Sequence, residues 1–382
     1  MKMSKKMSKK IDISIISSGA NLADARLHRL TRALLRAGMR VEIFAPGLLK
    51  DAPRIDSDRQ ALIIRTPWLA QRWGNTALIP RYYRSRIFAL RSQGRVLFAI
   101  SPEAIAPTFG IAKLLRRKIA VDLFEDYLQL LQDRNWTKKF FGIVGWIAKS
   151  DTHSALWFAQ RADLTTVADV QVPPFEARNR IVVRNLPDLS LLTKSGQREE
   201  NPRAIYIGDL RESRGLKSML RVAELSPEWE FDFVGGISET DQGFVDQWFR
   251  DHVTDNSRVR FHGKLPLQES WKYAQGAWVG LTLLEATPAF TEAIPSKLYE
   301  YMSVGLASIS TPLPRCIHLH SVSNFGAIES TPEQVATRLE YWKLNPEELD
   351  QIRGQVEEWA ANNLDSEREY GNFAAEMVKL AR

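Results

Sequence analysis

Cysteine is nearly absent: Cys316 is the single one in 382 residues. A disulfide framework is therefore excluded, and a thiolate-built metal cluster has no ligands to draw on. One thiol suits a reducing compartment, so a cytoplasmic location is expected. Histidine is scarce too, and the six present show neither HExxH nor another metal-binding spacing. No metal is expected. No apolar run reaches the ~18 residues that a membrane-crossing helix needs. Acidic residues are missing altogether from Arg59 to Pro102.

That last gap is part of a wider asymmetry. Met1 to Ser190 holds 32 Lys and Arg against 16 Asp and Glu, a net of +16. The remainder holds 20 against 29, a net of −9. The two halves thus face different partners. The acid-free stretch carries Arg59, Arg65, Arg72, Arg81, Arg84, Arg86, Arg91 and Arg95, interleaved with Trp68, Trp73, Tyr82 and Tyr83. Basic residues among interfacial aromatics suit an anionic membrane surface. Single-stranded nucleic acid also accepts such a pattern, as does a plain solvated helix face. The expected partner is the membrane rather than nucleic acid. The basic start MKMSKKMSKK leads into a strand containing Asp12, not into a signal-peptide core.

A chain of this length predicts two domains. Ile11–Ser17 reads as a strand, a turn follows at Gly19, a helix runs to about Ala37, and Val41–Ala45 is the next strand. This β-α-β opening implies a parallel sheet. Gly19 precedes a helix N-terminus, a place that suits an anion, but GxGxxG is missing. Strands follow at 61–66, 96–100 and 119–123, the last running into Asp122-Leu123-Phe124-Glu125-Asp126. Acidic groups there lie on the ligand edge of an open α/β sheet, where they can orient a hydroxyl or accept a proton. Trp136–Arg161 reads as an amphipathic helix, much of it core. Polar residues 189–202 read as a linker. The strand and helix alternation then restarts at Arg203, and the last three amphipathic helices begin near Thr331, Pro346 and Glu367.

Glu285–Thr311 is the most informative stretch. A polar loop runs through Pro295-Ser296-Lys297 into a short helix that stops at Gly305, and Leu306–Ser310 reads as a buried strand. Glu292 and Glu300, with seven residues between them, flank Lys297. Two carboxylates, a lysine and a helix start gathered at one junction suit a phosphate-plus-sugar ligand.

The second half resembles the retaining GT-B glycosyltransferases of family 4, the glycosyl transferases group 1 type. The resemblance rests on Tyr206-Ile-Gly-Asp-Leu-Arg-Glu-Ser-Arg-Gly215, Phe231–Gly235, Val259–Pro266, and Glu292 to Glu300 leading into Lys-Leu-Tyr-Glu-Tyr-Met-Ser-Val-Gly305. In the first half, Asp24-Ala-Arg26 and Arg180–Asp188 look like the variant found among cell-surface polysaccharide transferases. The resemblance implies two Rossmann-like doubly wound α/β domains facing each other across a cleft: residues 1–188, a linker 189–202, a donor domain 203–365, and a C-terminal helix 366–382 that returns to the first domain. It implies that Arg214 and Lys297 grip the donor diphosphate, that Glu300 binds ribose hydroxyls, and that Glu292 lies nearest the transferred sugar. Donor contacts are also implied at Gly19, Gly208, Arg211, Gly235, His262, Gly263, Pro295, Ser296 and Leu298. Where many relatives have an arginine after the glycine, this chain has Asp209, and Arg211 is the candidate replacement. Phe124 stands near a position that family members often give to histidine, beside Asp122 and Glu125, the candidate acceptor-side groups.

The expected activity is retaining, metal-independent transfer of a sugar from a UDP- or GDP-sugar to a lipid-linked or polysaccharide acceptor in cell-envelope glycan synthesis, at the inner face of the cell membrane. No cofactor is expected beyond the nucleotide-sugar co-substrate. Two alternatives remain open at this stage: a nucleotide-sugar 2-epimerase of the same fold, and a protein that binds nucleotide sugar or nucleic acid without catalysis.

Overall fold

The structure is a computed structural model of the chain. It describes residues 10–18, 22, 24–49, 52–53, 61–65, 78–132, 137, 142–189, 192–252, 257–291 and 294–382, the side chains of residues 78–80 and 289 excepted. The chain divides into two compact units. One is Met1–Asn185 with Glu367–Arg382, the other Leu186–Ser366.

The first unit is built on a parallel seven-stranded sheet of order β3-β2-β1-β4-β5-β6-β7. The strands are β1 (Ile13–Ser17), β2 (Val41–Phe44), β3 (Leu62–Ile64), β4 (Val96–Ile100), β5 (Lys118–Leu123), β6 (Leu164–Val167) and β7 (Arg180–Val182). β1 and β4 read ISIIS and VLFAI and are buried throughout, as strands covered on both faces must be. Helix Ala25–Arg36 covers one face, its N-terminus capped by Asp24, whose side chain accepts from the Leu27 amide at 2.8 Å. The C-terminal helix Ser366–Ala381 joins it there, and Phe373 and Met377 pack with Leu27, Leu30 and Phe98. Tyr370 Oη donates to the Arg184 carbonyl at 3.1 Å. Helices Leu78–Arg91, Pro102–Leu114 and Ile143–Ala159 cover the opposite face, the middle one packed against both neighbours.

The second unit repeats the design with order β10-β9-β8-β11-β12-β13. Its strands are β8 (Arg203–Ile207), β9 (Glu230–Val234), β10 (Val259–Gly263), β11 (Val279–Thr282), β12 (Ala307–Ser310) and β13 (Gly326–Ile328). Both sheets are Rossmann-like. The strand order reverses between β1 and β4 in the first and between β8 and β11 in the second.

Several expectations are corrected here. The helix predicted over 136–161 is described as Ile143–Ala159, after a separate short helix Tyr127–Gln132. Helix Pro314–Ser323 and strand β13 had no counterpart in the sequence reading. Of the segment predicted as a linker, residues 192–202 are held by the second unit. Ser195 Oγ reaches the Val304 and Gly305 carbonyls, each at 2.9 Å, and Arg353 Nη2 donates to Ser195 Oγ at 3.0 Å. Small hydroxyl and glycine residues read as flexible in sequence, yet here they fill a close approach.

A buried ion pair ties the first sheet to its covering helix. Arg26 grips Asp122 with Nη2–Oδ1 at 2.6 Å and Nε–Oδ2 at 2.7 Å, while its Nη1 donates to the Val183 carbonyl at 2.8 Å. Both side chains are buried. Removing one partner strands the other, so Arg26→Met is expected to lower stability by roughly 3–5 kcal/mol. Urea unfolding measures this. The double variant Arg26→Met with Asp122→Leu should recover much of the loss, because neither charge is then left buried alone.

Candidate functional site

Open α/β sheets bind ligands beyond the carboxyl ends of their strands, at the point where strand order reverses. In the second unit that point lies between β8 and β11. At the end of β8 the chain passes through Gly208, whose N–H donates to the Val234 carbonyl at 2.9 Å. A Cβ on Gly235, at the end of β9, would come 1.8 Å from the Gly208 carbonyl oxygen. The two strand ends therefore touch backbone to backbone, and only glycine permits the approach.

Side chains collect above this floor. A Cβ on Gly208 would stand 3.0 Å from Tyr206 Oη and 3.3 Å from Lys297 Cε. Tyr206 Oη donates to the Asp209 carbonyl at 3.0 Å. Burial raises the Tyr206 phenol above its ordinary value, opposed by the charge and hydrogen bond of Arg214. Arg214 closes the short 3-10 turn Glu212–Arg214, and Gly215 follows at φ +83°. A side chain at Gly215 would collide with the Leu283 carbonyl, 1.9 Å from its Cβ. The Ser213 carbonyl accepts from the Glu285 amide at 3.1 Å, so the loop after β8 is fastened to the loop after β11.

Helix Ser296–Ser303 brings in the remaining groups. Pro295 precedes it, and no side chain caps its first turn. Uncapped first-turn amides and the helix dipole favour an anion. Lys297 Nζ lies 2.6 Å from Glu300 Oε2 and 5.9 Å from the Trp271 ring centroid. The ammonium is partly exposed and the carboxylate nearly covered. Gly208, Arg214, Lys297 and Glu300 thus converge through their contacts with one another and with Tyr206. Gly235 supports them from below, and Pro295 and Ser296 set where the helix starts. Arg211 lies at the opening of the same turn, its carbonyl accepting from the Arg214 amide at 2.9 Å.

Other expected residues fall elsewhere. Leu298 is fully buried in the apolar core, where its helix position turns it inward. His262 and Gly263 end β10, which β9 separates from β8. His262 Nε2 lies 2.7 Å from Asp232 Oδ1, and its ring packs on Tyr273 with centroids 4.1 Å apart. Glu292 and Gly19 lie outside the described residues. In the first unit Asp122 is sealed in the Arg26 pair, and Thr166 also donates to it, so neither oxygen is open to a substrate. Glu125 is exposed on the loop beyond β5.

One carboxylate at the first unit's reversal point escaped the sequence reading. Glu103 opens the helix after β4, is buried, and has Arg81 Nη1 at 3.5 Å from its Oε1. Burial pushes its pKa up, and burial together with the Glu103 charge pushes Asp151 up to about 6. The signal was the Ser101-Pro102-Glu103 sequence at a strand end. Among the described residues, no group of three His, Cys, Asp or Glu side chains is arranged to hold a metal ion.

Asp232 is the fixed point under β9 and β10. It receives Arg203 Nη1 at 2.9 Å, Arg260 Nε at 2.8 Å and His262. Burial works against its charge, but the hydrogen bonds of Arg260 and His262 overcome it and hold the carboxyl below its ordinary range. A depressed folded-state pKa contributes stability above the unfolded value, and that stability disappears as pH falls through the folded value. Asp232→Asn should cost roughly 2–3 kcal/mol near neutral pH. The gap to the unmodified protein should close on acidification below the usual carboxylate range, as measured by urea titrations at stepped pH.

No protein-family model matches the chain, and no curated protein matches it by sequence. Solved structures do match. Sucrose-phosphate synthase of Thermosynechococcus elongatus superposes with TM-score 0.70 at 12% identity, over 97% of this chain and 99% of that one. Anabaena HepE in complex with UDP-glucose superposes with TM-score 0.68 at 15% identity, over 97% and 100%. AviGT4, a glycosyltransferase involved in avilamycin A biosynthesis, gives 0.55 at 11% identity, over 97% and 98%. Likeness at these identities, spanning nearly the whole of each chain, establishes the fold: two Rossmann-like parallel-sheet units of the GT-B type.

Proposed function

We propose that the protein is a glycosyltransferase that moves a sugar from a UDP- or GDP-sugar to a lipid-linked or polysaccharide acceptor, with retention of anomeric configuration. One observation carries this reading. Lys297, Arg214 and Glu300 meet beside Gly208 at the reversal point of the second sheet, in a chain of GT-B fold. The HepE neighbour, with UDP-glucose bound, supports a nucleotide sugar as the ligand.

The chemistry follows from where charge develops. Breaking the bond between the anomeric carbon and the diphosphate leaves negative charge on the leaving phosphate. Lys297, Arg214 and the first-turn amides of helix Ser296–Ser303 are the groups to stabilise it. An ammonium has three donors, so the bond from Lys297 to Glu300 leaves two for phosphate oxygens. In this reading these positive groups do the work without a metal ion. The second oxygen of Glu300 accepts a ribose hydroxyl, and Glu292 attends the sugar. The arginine-rich, aromatic first half supports work at the inner membrane face as a peripheral protein.

Lys297→Ala is expected to lower kcat/KM by roughly 10²–10³, as loss of one preorganised charge-stabilising donor does. Its melting temperature should stay near that of the unmodified protein. Full activity in Lys297→Ala or in Glu292→Gln would refute the site. Ligand choice is read separately by thermal shift across a panel of nucleotide sugars. A donor at a hundred times its Kd adds roughly 2.7 kcal/mol of stability. If no UDP- or GDP-sugar raises the melting temperature, the donor reading fails. Proton NMR of the donor without acceptor should show no 2-epimer.

A further inference from the structure

The helix Ile143–Ala159 carries its side chains the wrong way round for a helix facing water. Its buried side is made of small residues: Gly145, Ala148, Thr152, Ala155 and Ala159. Large apolar residues point outward instead. Trp146 is 71% exposed, Ile143 58% and Trp157 50%. Ile147 lies on the same outward stripe, because positions 143, 146, 147, 150 and 157 share a face at helical spacing. Turning small residues to protein and large ones outward suits a helix whose outer neighbour is apolar. Sequence reading took these large residues for core. The core at this face is completed without them by Phe88, Leu97 and Ile111.

A second element presents the same chemistry. Helix Leu78–Arg91 exposes Tyr82, Tyr83 and Leu90. Arg86 and Arg91 are exposed with them, and no acidic residue occurs anywhere in that helix. Helix Pro102–Leu114 packs between the two, so they belong to one layer on one face of the first sheet. The acids of this three-helix layer are withdrawn: Glu103 is buried and Asp151 is half-buried. Lys113, Arg116 and Lys149 remain exposed. Each outer helix runs into the start of a strand, β4 or β6, so Ile143 and Trp146, in the first turn of one, and Tyr82 and Tyr83, in the second turn of the other, lie toward the carboxyl edge of the sheet. That is the edge on which such sheets take their ligands.

We infer that the outer face of this layer, centred on Trp146 and Ile143 and flanked by the Tyr82–Arg86 turn, docks on an anionic bilayer surface. The aromatics would sit at headgroup depth and the basic side chains against lipid phosphate. The inference deepens the lipid-acceptor part of the proposed function and rests on that reading only there.

The test uses the full chain without donor, so its failure leaves the transferase reading standing. Co-sedimentation is measured with vesicles of phosphatidylcholine alone and with phosphatidylglycerol added. Binding should require the anionic lipid and should weaken as salt is raised. The double variant Ile143→Ser with Trp146→Ser should bind roughly ten-fold more weakly or worse. Its melting temperature and its transfer to a water-soluble acceptor should be unchanged. Because Cys316 is buried, Trp146→Cys offers the accessible thiol among the described residues. An environment-sensitive dye placed there should shift to the blue on adding anionic vesicles. No vesicle binding, equal binding by the double variant, or an unmoved dye would overturn the inference. So would a homodimer in light scattering that the double variant disperses, since a second copy would then be what covers the face.

Discussion

The second unit turns on a contact without side chains. Gly208 and Gly235 end neighbouring parallel strands, and the carbonyl of one occupies the space where a Cβ of the other would stand. This close approach leaves a backbone floor at the strand-order reversal. Lys297 is able to extend over that floor because nothing rises from it. Tyr206 reaches the same spot from within β8, and the Gly215 turn is pressed against Leu283 so that Arg214 is returned to it. Each cationic group thus depends on a glycine, Gly208 giving Lys297 its room and Gly215 turning back Arg214, while Glu300 holds the Lys297 ammonium. Geometry of this kind survives changes of ligand state better than an ion pair does, because it is made of excluded volume.

The first unit is organised differently. Its centre is the Arg26–Asp122 pair, which joins a helix near the start of the sequence to the fifth strand and to the chain beyond β7. Of the two carboxylates that sequence reasoning placed on the acceptor side, Asp122 is therefore structural, and Glu103 is the acid that stands at the reversal point. The two units share a topology, but the first locks its strand-end acid in a buried pair and the second leaves the Lys297 ammonium partly exposed at its reversal point.

What the sequence made legible follows from what fixes each feature. Strand β4 is a continuous apolar run and β1, β8 and β9 are mostly apolar, each bounded by turns, so their places as sheet strands were readable from the residues. Lys297 and Glu300 were readable because Pro295 and Gly305 mark the ends of a short helix between a loop and a strand. Asp122 was misread because its partner lies 96 residues away, and pattern carries no information about which arginine arrives. Strand β13 was missed because it has three residues and pairs only with β12, so tertiary pairing rather than propensity creates it. The outward Trp146 and Ile143 were hidden because large apolar side chains read as core, whereas the side of this helix that faces protein is made of small residues.

The C-terminal helix has a consequence for how the molecule comes into being. Phe373 and Met377 lie in the first unit's core, yet they follow the whole of the second unit in the chain and are made after it. Residues 186–366 can finish their own core while the first sheet still lacks part of its cover. Synthesis therefore delivers the second unit whole before the helix that completes the cover of the first sheet.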